Sequence, residues 1–267
     1  MPEQNKRPDY ISVSQVNRYQ NCGIQYYFHY IEGIKTQAND KMLRGIAIDN
    51  SANEHFNEKS QNEIGITENN FVDLAVATHD EKSDDVEFDE FDKDVSRDKT
   101  ANASKTYHGE HGQIIKPKRS DDGQMPTQIK ILEDIGDNVT LMGFVDLVTD
   151  DDTIVDTKVR GADKSIDVEA NLQLQTYANV IGVDKVGIAS VTTAKTPKAT
   201  YYGGISNKTT KERAIQRIKS VSAAIDSNIF LPAPEGSWIC SEKYCNFFNI
   251  CDFGAKRKWI ALYVLSN

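Results

Sequence analysis

Glycine and proline are scarce in this sequence, 16 and 7 among 267 residues, so the chain as a whole is not a low-complexity polymer. Long apolar runs are missing too. The longest, such as Ile260-Ala261-Leu262-Tyr263-Val264-Leu265, fall far short of the roughly 20 residues of a membrane span. The opening MPEQNKRPDY has no apolar stretch behind its basic residues, which reads against a secretory signal. The expectation is a cytoplasmic protein with no membrane partner. G-x4-G-K-[ST], G-x-G-x-x-G and G-x-S-x-G are all absent, so there is no P-loop, dinucleotide fingerprint or nucleophile elbow. Any activity should be independent of nucleotide binding. Cysteine is also rare, four in all, and a cytosolic chain is expected to keep them out of stable disulfides.

What is present suits a globular protein. With 39% hydrophobic and 27% charged residues, the chain can fill one large domain with a proper core, or at most two small ones. The net charge of −9 is uneven. Residues 80–98 hold ten acids against three bases, a net of −7, which leaves −2 for everything else. A local basic groove is therefore allowed, and overall charge decides nothing about nucleic acid.

The periodicity predicts a helix over residues 12–31, capped by Ser12 or Ser14, with Val16, Tyr19, Tyr26, Tyr27 and Tyr30 on one face. A second helix is predicted from Met42 to about Lys59. Residues 60–125 read as a helical insertion with an exposed tail. From Thr127 the pattern changes to strands at 128–133, 140–148 and 153–158, with turns at Gly136-Asp137-Asn138 and Asp150-Asp151-Asp152. A helix at about 170–181, strands at 185–193 and 200–203, and a long amphipathic helix over 208–227 complete the chain. The order implies an α/β fold, a mixed central β-sheet flanked by helices.

Two groups of residues can carry chemistry. Asp146 interrupts an apolar strand, and Asp156 follows Ile154-Val155 on the next strand across a tight turn. Paired antiparallel strands can bring both carboxylates to one end of the sheet, where they could hold Mg²⁺ or Mn²⁺. Lys158, two residues on, projects to the same face as Asp156 and could stabilise charge developing on a phosphate. Taken alone, D…DxK also reads as a surface hairpin of scattered charge. Gln173 and Tyr177 are four apart on one helical face. In Leu43-Arg44-Gly45-Ile46-Ala47-Ile48-Asp49, Gly45 suggests close helix packing and Asp49 lies one turn on. The second group is Cys240, Cys245 and Cys251, which with Cys22 make four thiolates. That is the number a [4Fe–4S] cluster or a tetrahedral zinc requires, and spacing does not choose between iron and zinc.

Together these features resemble the RecB-type branch of the PD-(D/E)xK nucleases. They are most similar to the iron–sulfur exonucleases of the CRISPR-associated Cas-four type and to the nuclease domain of AddB. The matching residues run in order along most of the chain: Ser12, Ser14, Val16, Tyr19 and Cys22; Arg44 to Asp49; Gly143 to Asp146; Asp156 to Lys158; Gln173 to Tyr177; and the cysteine triplet. The resemblance implies a restriction-endonuclease-like core. In it Asp146 and Asp156 bind the catalytic metal with the Thr157 carbonyl, Lys158 is the catalytic lysine, and Gln173 and Tyr177 line the site. It also implies a [4Fe–4S] cluster held by Cys22, Cys240, Cys245 and Cys251. On this reading residues 1–267 form one nuclease domain, in which 1–35 and 232–267 make the iron–sulfur lobe, 36–126 a helical region and 127–231 the catalytic core. The implied activity is an ATP-independent DNA exonuclease acting on single-stranded ends in recombination, repair or CRISPR spacer processing. Recombination or CRISPR adaptation proteins would be its partners, and a phage origin, in host cytoplasm, fits the stand-alone form.

The sequence departs from the family pattern twice. Asp49 stands where relatives have histidine, and its carboxylate, a harder ligand than imidazole, should favour Mg²⁺ over Mn²⁺. The first spacing in the triplet is four residues where two is usual. The alternative from another class is a non-catalytic DNA-binding protein that keeps the fold and cluster, and a third is a zinc-stabilised interaction module. His108 and His111 read as members of a solvated loop, and the acidic run as a solvated face. The Tyr19–Tyr30 face reads as packing against the cysteine lobe. Lys208–Lys219 and Lys256-Arg257-Lys258 are candidate phosphate contacts.

Overall fold

The structure is a computed structural model and describes residues 8–88, 91–119 and 124–254. Lys256-Arg257-Lys258 and the apolar run from Ile260 lie outside the described residues. The chain divides into two compact units, one of Met1–Thr36, Leu132–Met142 and Ile215–Asn267, the other of Gln37–Ile131 and Gly143–Ala214. Among the described residues no helix is long and apolar enough to cross a membrane.

In the first unit, Ser12 caps α1 (Val13–Asn21) by accepting the Gln15 N–H. The expected helix over 12–31 is broken. Cys22 is extended, at φ −165°, and α2 (Gly23–Tyr26) restarts and widens into a π-helical turn, Tyr27–Ile31. The cause lies at Gly23, whose N–H donates to the Leu231 carbonyl at 2.7 Å. A Cβ there would sit 2.7 Å from the Leu231 nitrogen, so only glycine permits the approach. The aromatic face packs inward as expected. Tyr26 is buried, with the rings of Tyr19, Tyr30 and Phe230 at 5.8, 4.9 and 6.2 Å.

The second unit begins with a short parallel ladder of β1 (Ala38–Asn39) and β2 (Val86–Glu87). Three helices follow side-chain caps: α3 (Asp40–Asn62) behind Asn39, α4 (Glu68–Lys82) behind Thr67, and α5 (Lys93–Tyr107) behind Asp92. The tail expected to be exposed within 60–125 is so only in part: Ile115 and Pro117 are buried, whereas Lys116, Lys118, Arg119 and Met125 are exposed. Phe71, Ala103, Tyr107 and Ile115 join Ile48, Ala52 and Phe56 of α3 against Leu147, Val155, Ala189 and Val191 of the sheet.

His108 and His111 are corrected in the same way. They sit in a π-helical turn, 108–112, and are only 5% and 2% exposed. The His108 Nε2 faces the Ile66 carbonyl and the His111 Nε2 the Ser190 carbonyl, both at 3.0 Å. Gly112 makes room for them, since a Cβ there would lie 3.3 Å from the rings of both His108 and His55. In the acidic run, Asp80 pairs with Arg97 at 2.9 Å and Asp84 with Lys93 at 3.7 Å.

The central sheet has the order β3 (Thr127–Asp134), β4 (Thr140–Val148), β5 (Thr153–Arg160), β6 (Lys185–Thr192), β7 (Ala199–Ile205). β4 and β5 pair antiparallel, β5 and β6 parallel, β6 and β7 antiparallel. A parallel pair needs a crossover, and α6 (Leu172–Ile181), capped by Asn171, supplies it. α7 (Lys208–Asp226) follows β7. The two expected turns carry the positive φ they require: 88°, 60° and 58° at Gly136, Asp137 and Asn138, and 61° at Asp152. The result is the mixed α/β fold that the strand and helix pattern implied.

Arg44 belongs to the helical core. Its guanidinium donates to Asp40 at 2.5 Å and to the Ser96 hydroxyl at 3.2 Å, and both charged residues are almost wholly buried. Removing one partner strands the other's charge in a low-dielectric interior. Arg44→Met should therefore cost about 3–5 kcal/mol in urea unfolding. The double variant Arg44→Met, Asp40→Leu should recover most of that loss.

Candidate active site

The β4–β5 register pairs Leu147 with Val155. Continuing it by one residue sets Asp146 across from Asp156, and opposed residues share a face. The backbone pairing of these strands ends at Leu147 and Val155. Instead of joining a backbone ladder, the Thr157 N–H donates to the Asp146 Oδ2 at 3.0 Å. Two facing carboxylates thus coincide with the point where the strands part.

Asp156 is buried and closely held. Lys158, on the same strand face, sets its Nζ 2.9 Å from one carboxylate oxygen and 2.8 Å from the other. The Gln173 Nε2, from the first turn of α6, donates to the Asp156 Oδ1 at 2.7 Å. The Lys158 side chain stays 40% exposed, so its ammonium has an open side. Asp49 approaches from α3, where its Oδ2 accepts from Asn53 at 3.1 Å and from Gln128 at 3.4 Å. Its carboxyl is pushed up, first by burial and then by the charge of Asp156, with Lys158 acting the other way. His55, six residues on, lies apart from this group, with its Nε2 facing the Gly112 carbonyl at 3.0 Å.

Tyr177 borders the cluster. Its hydroxyl is raised to about 12, chiefly by burial and further by the charges of Asp146 and Asp156. Gly143 makes this possible, because a Cβ there would overlap the Tyr177 hydroxyl. That is the physical meaning of the glycine in Gly143-x-x-Asp146. Tyr107 of α5 is a neighbour that the motifs did not reveal. Its hydroxyl meets the Thr157 Oγ1 at 3.0 Å, and all three carboxylates act on it. Only its place in an aromatic helical stretch could have hinted at this. Gly45 is the opposite case. The expected close packing is absent, since a Cβ there meets nothing within 4 Å.

Charge is the signature of this site. The Asp146 carboxyl is pushed up to about 7 by burial, by Asp156 and by Asp49, and Asp156 is raised as well. Carboxylates that hold each other in the acid form are an environment a divalent cation would relieve. Among the described residues no group of three or more His, Cys, Asp or Glu side chains, carboxylates or thiols, is already placed to hold a metal ion. The oxygens face Thr157, Lys158, Gln173, Asn53 and Gln128 instead, and would have to turn from some of these donors to bind a metal. The donor set therefore fits a hard divalent cation in its chemistry and charge.

In the first unit, Cys22, Cys240, Cys245 and Cys251 line one small cavity together with Phe28, Phe247 and Phe248. All four are free thiols, and all but Cys240 are buried. Burial raises Cys240 and Cys245, and the charges of Cys22 and Cys251 raise both further.

A model of the PD-(D/E)XK nuclease superfamily matches residues 10–252, and the chain belongs to that superfamily. Among solved structures it is similar to a protein from Eubacterium rectale named as a proposed exonuclease. The TM-score is 0.54 at 12% identity, over 87% of each chain, a likeness of fold. A second structure, SSO0001, aligns at a TM-score of 0.35 and 19% identity over 47% of this chain and 58% of that one. No protein of curated function matches the sequence. The superfamily is generally divalent-metal dependent, and its nuclease fold implies a nucleic-acid substrate.

The raised Asp146 carboxyl has a consequence for stability. An unfolded aspartate titrates near pH 4. Between there and about 7 the folded chain keeps a proton that the unfolded chain has lost. The stabilising contribution is complete below about pH 4 and disappears as pH rises through 7. Without metal, Asp146→Asn should unfold at higher urea than wild type at pH 8, and the gap should close below about pH 4. A variant no more stable than wild type at pH 8 would contradict the crowding described here.

Proposed function

We propose that this protein is a metal-dependent deoxyribonuclease, an ATP-independent exonuclease on single-stranded DNA ends, serving recombination, repair or CRISPR spacer processing. The observation that carries the reading is the mutual charge of Asp49, Asp146 and Asp156 beside one half-exposed lysine. Asp146 and Asp156, with Asp49 and the Thr157 carbonyl, are the residues that would hold Mg²⁺ or Mn²⁺. When bound, the ion supplies Lewis-acid polarisation of the phosphate and a more acidic water. The protein's own groups do the rest. Gln173 fixes the rotation of the Asp156 carboxylate. Lys158 donates to it from one side and offers its remaining protons to a phosphate oxygen, where negative charge grows in the transition state. Tyr177, seated against Gly143, helps to close one wall.

The test is cleavage of single-stranded DNA, labelled at one end or the other, with Mg²⁺ or Mn²⁺. Wild type should digest it without ATP, and the order in which products appear gives the polarity. Lys158→Ala should lose about 10²–10³-fold in rate, the range for removing one transition-state donor. An inert wild type that still binds DNA would assign the protein to the non-catalytic binding class instead.

We further propose a [4Fe–4S] cluster on Cys22, Cys240, Cys245 and Cys251 as a structural clasp. Its support is that four free thiols, one at residue 22 and three within 240–251, line one cavity. Closing so long a loop restricts the unfolded chain by about 5 kcal/mol, by analogy with disulfides. Anaerobically purified protein should be brown with four irons per chain, and Cys245→Ala should lose iron and melt lower. Colourless protein holding one zinc would replace iron with zinc, and unchanged melting after chelation would remove the clasp role.

A further inference from the structure

An apolar ring stands beside the carboxylates. Phe144 precedes Asp146 by two residues on β4, so both project from one face, about 7 Å apart along the strand. The burial of the strand alternates accordingly: Gly143, Val145 and Leu147 are buried, whereas Phe144 is 44% exposed. Single exposed hydrophobics are ordinary. This one differs in being a large aromatic two residues from a carboxylate of the site, on a strand whose Gly143 faces the Tyr177 hydroxyl. The other exposed aromatic ring of the second unit, Tyr201, lies over Gly187. On α3, Ile46 is exposed one turn before Asp49, which adds a second apolar surface on an element that carries a carboxylate.

We infer that Phe144 is a nucleobase subsite, on which an unpaired base of the substrate stacks while the adjoining phosphate lies at Asp146, Asp156 and Lys158. The inference deepens the nuclease reading above and rests on it. A phenyl ring offers a π-face but no hydrogen-bond code, so the subsite accepts any base. A duplex hides those faces within its own stack, so the subsite selects single strands. The ring does no chemistry. It positions the strand, and its loss should appear mainly in KM.

The experiment uses the full-length protein and a set of single-stranded oligonucleotides, each with one abasic position, cleaved with Mg²⁺. Wild type should show one position near the scissile phosphate at which base removal lowers kcat/KM about five- to 100-fold, the worth of one stacked base. Phe144→Leu keeps an apolar side chain on an exposed strand position and should be insensitive to that abasic site. Phe144→Trp should restore the sensitivity. If wild type cleaves but no position is sensitive, or if Phe144→Leu keeps the sensitivity, the subsite is overturned and the nuclease reading stands. If wild type cleaves nothing, the nuclease reading fails. The subsite is then decided by quenching of 2-aminopurine oligonucleotides in EDTA. Quenching by wild type and Phe144→Trp, lost in Phe144→Leu, supports it, and equal signals for all three overturn it.

Discussion

Three carboxylates share a largely buried corner of the sheet with a single ammonium, and most of the second unit follows from keeping them there. Water would separate such charges easily, whereas a folded interior has to supply dipoles and cations in its place. The donors come from distinct elements: the Thr157 amide from β5, Gln173 from α6, Asn53 from α3 and Gln128 from β3. Among the described residues Lys158 is the only full positive charge that touches the group. The antiparallel β4–β5 pairing ends at Leu147 and Val155, one residue short of Asp146 and Asp156.

Such a corner is a local cost to the fold, offset by packing elsewhere. The helices α3, α4 and α5 cover the sheet with a continuous apolar layer from Phe56 and Phe71 to Tyr107. The polar groups inside that layer are matched in kind. Arg44 meets Asp40 and Ser96, and the His79 imidazole shares the Ser96 hydroxyl at 3.2 Å. His55 is driven down to about 4, chiefly by burial, so it is neutral at ordinary pH. Arg44 and His55 tie α3 to its neighbours on either side of Asp49.

Much of this was legible in the sequence. Four of the five strands of the sheet have a turn or cap residue at a positive φ beside one end: Gly136 for β3, Asn138 for β4, Asp152 for β5 and Gly182 for β6. Asp146, Asp156, Lys158 and Gln173 were visible as a spaced set, and hydrogen bonds or ion pairs now join them. The misreadings share one physical origin, which is long-range contact that local pattern does not carry. The polar, glycine-bearing HGEHG looks like a loop, yet carbonyls of residues 66 and 190 take up its imidazoles. The helix over 12–31 has sound periodicity, yet Leu231 breaks it at Gly23. Gly45 looks like a packing glycine but faces open space, and Gly143, which does admit a neighbour, carries its reason only in Tyr177.

The charge distribution bears on how an acidic protein of a nuclease superfamily meets nucleic acid. Phosphate-led binding relies on free cations that displace counterions. Three of the five cations of the candidate basic helix are already engaged: Lys211 with Asp184 at 2.5 Å, Lys219 with Asp137 at 3.2 Å, and Lys208 with Glu212 at 3.8 Å, whereas Arg213 and Arg217 are exposed. Lys118, Lys185 and Lys198 likewise have aspartates at 2.7, 2.9 and 2.6 Å. Exposed pairs of this kind are weak and a phosphate could compete for them, but only by exposing an aspartate to its own charge. Part of the basic surface is therefore offset before any phosphate arrives. On the proposed reading, hydrogen bonding at Lys158 and apolar contact beside it add to the grip. Binding of that kind depends less on salt than counterion release does, and it concentrates recognition at the carboxylates themselves.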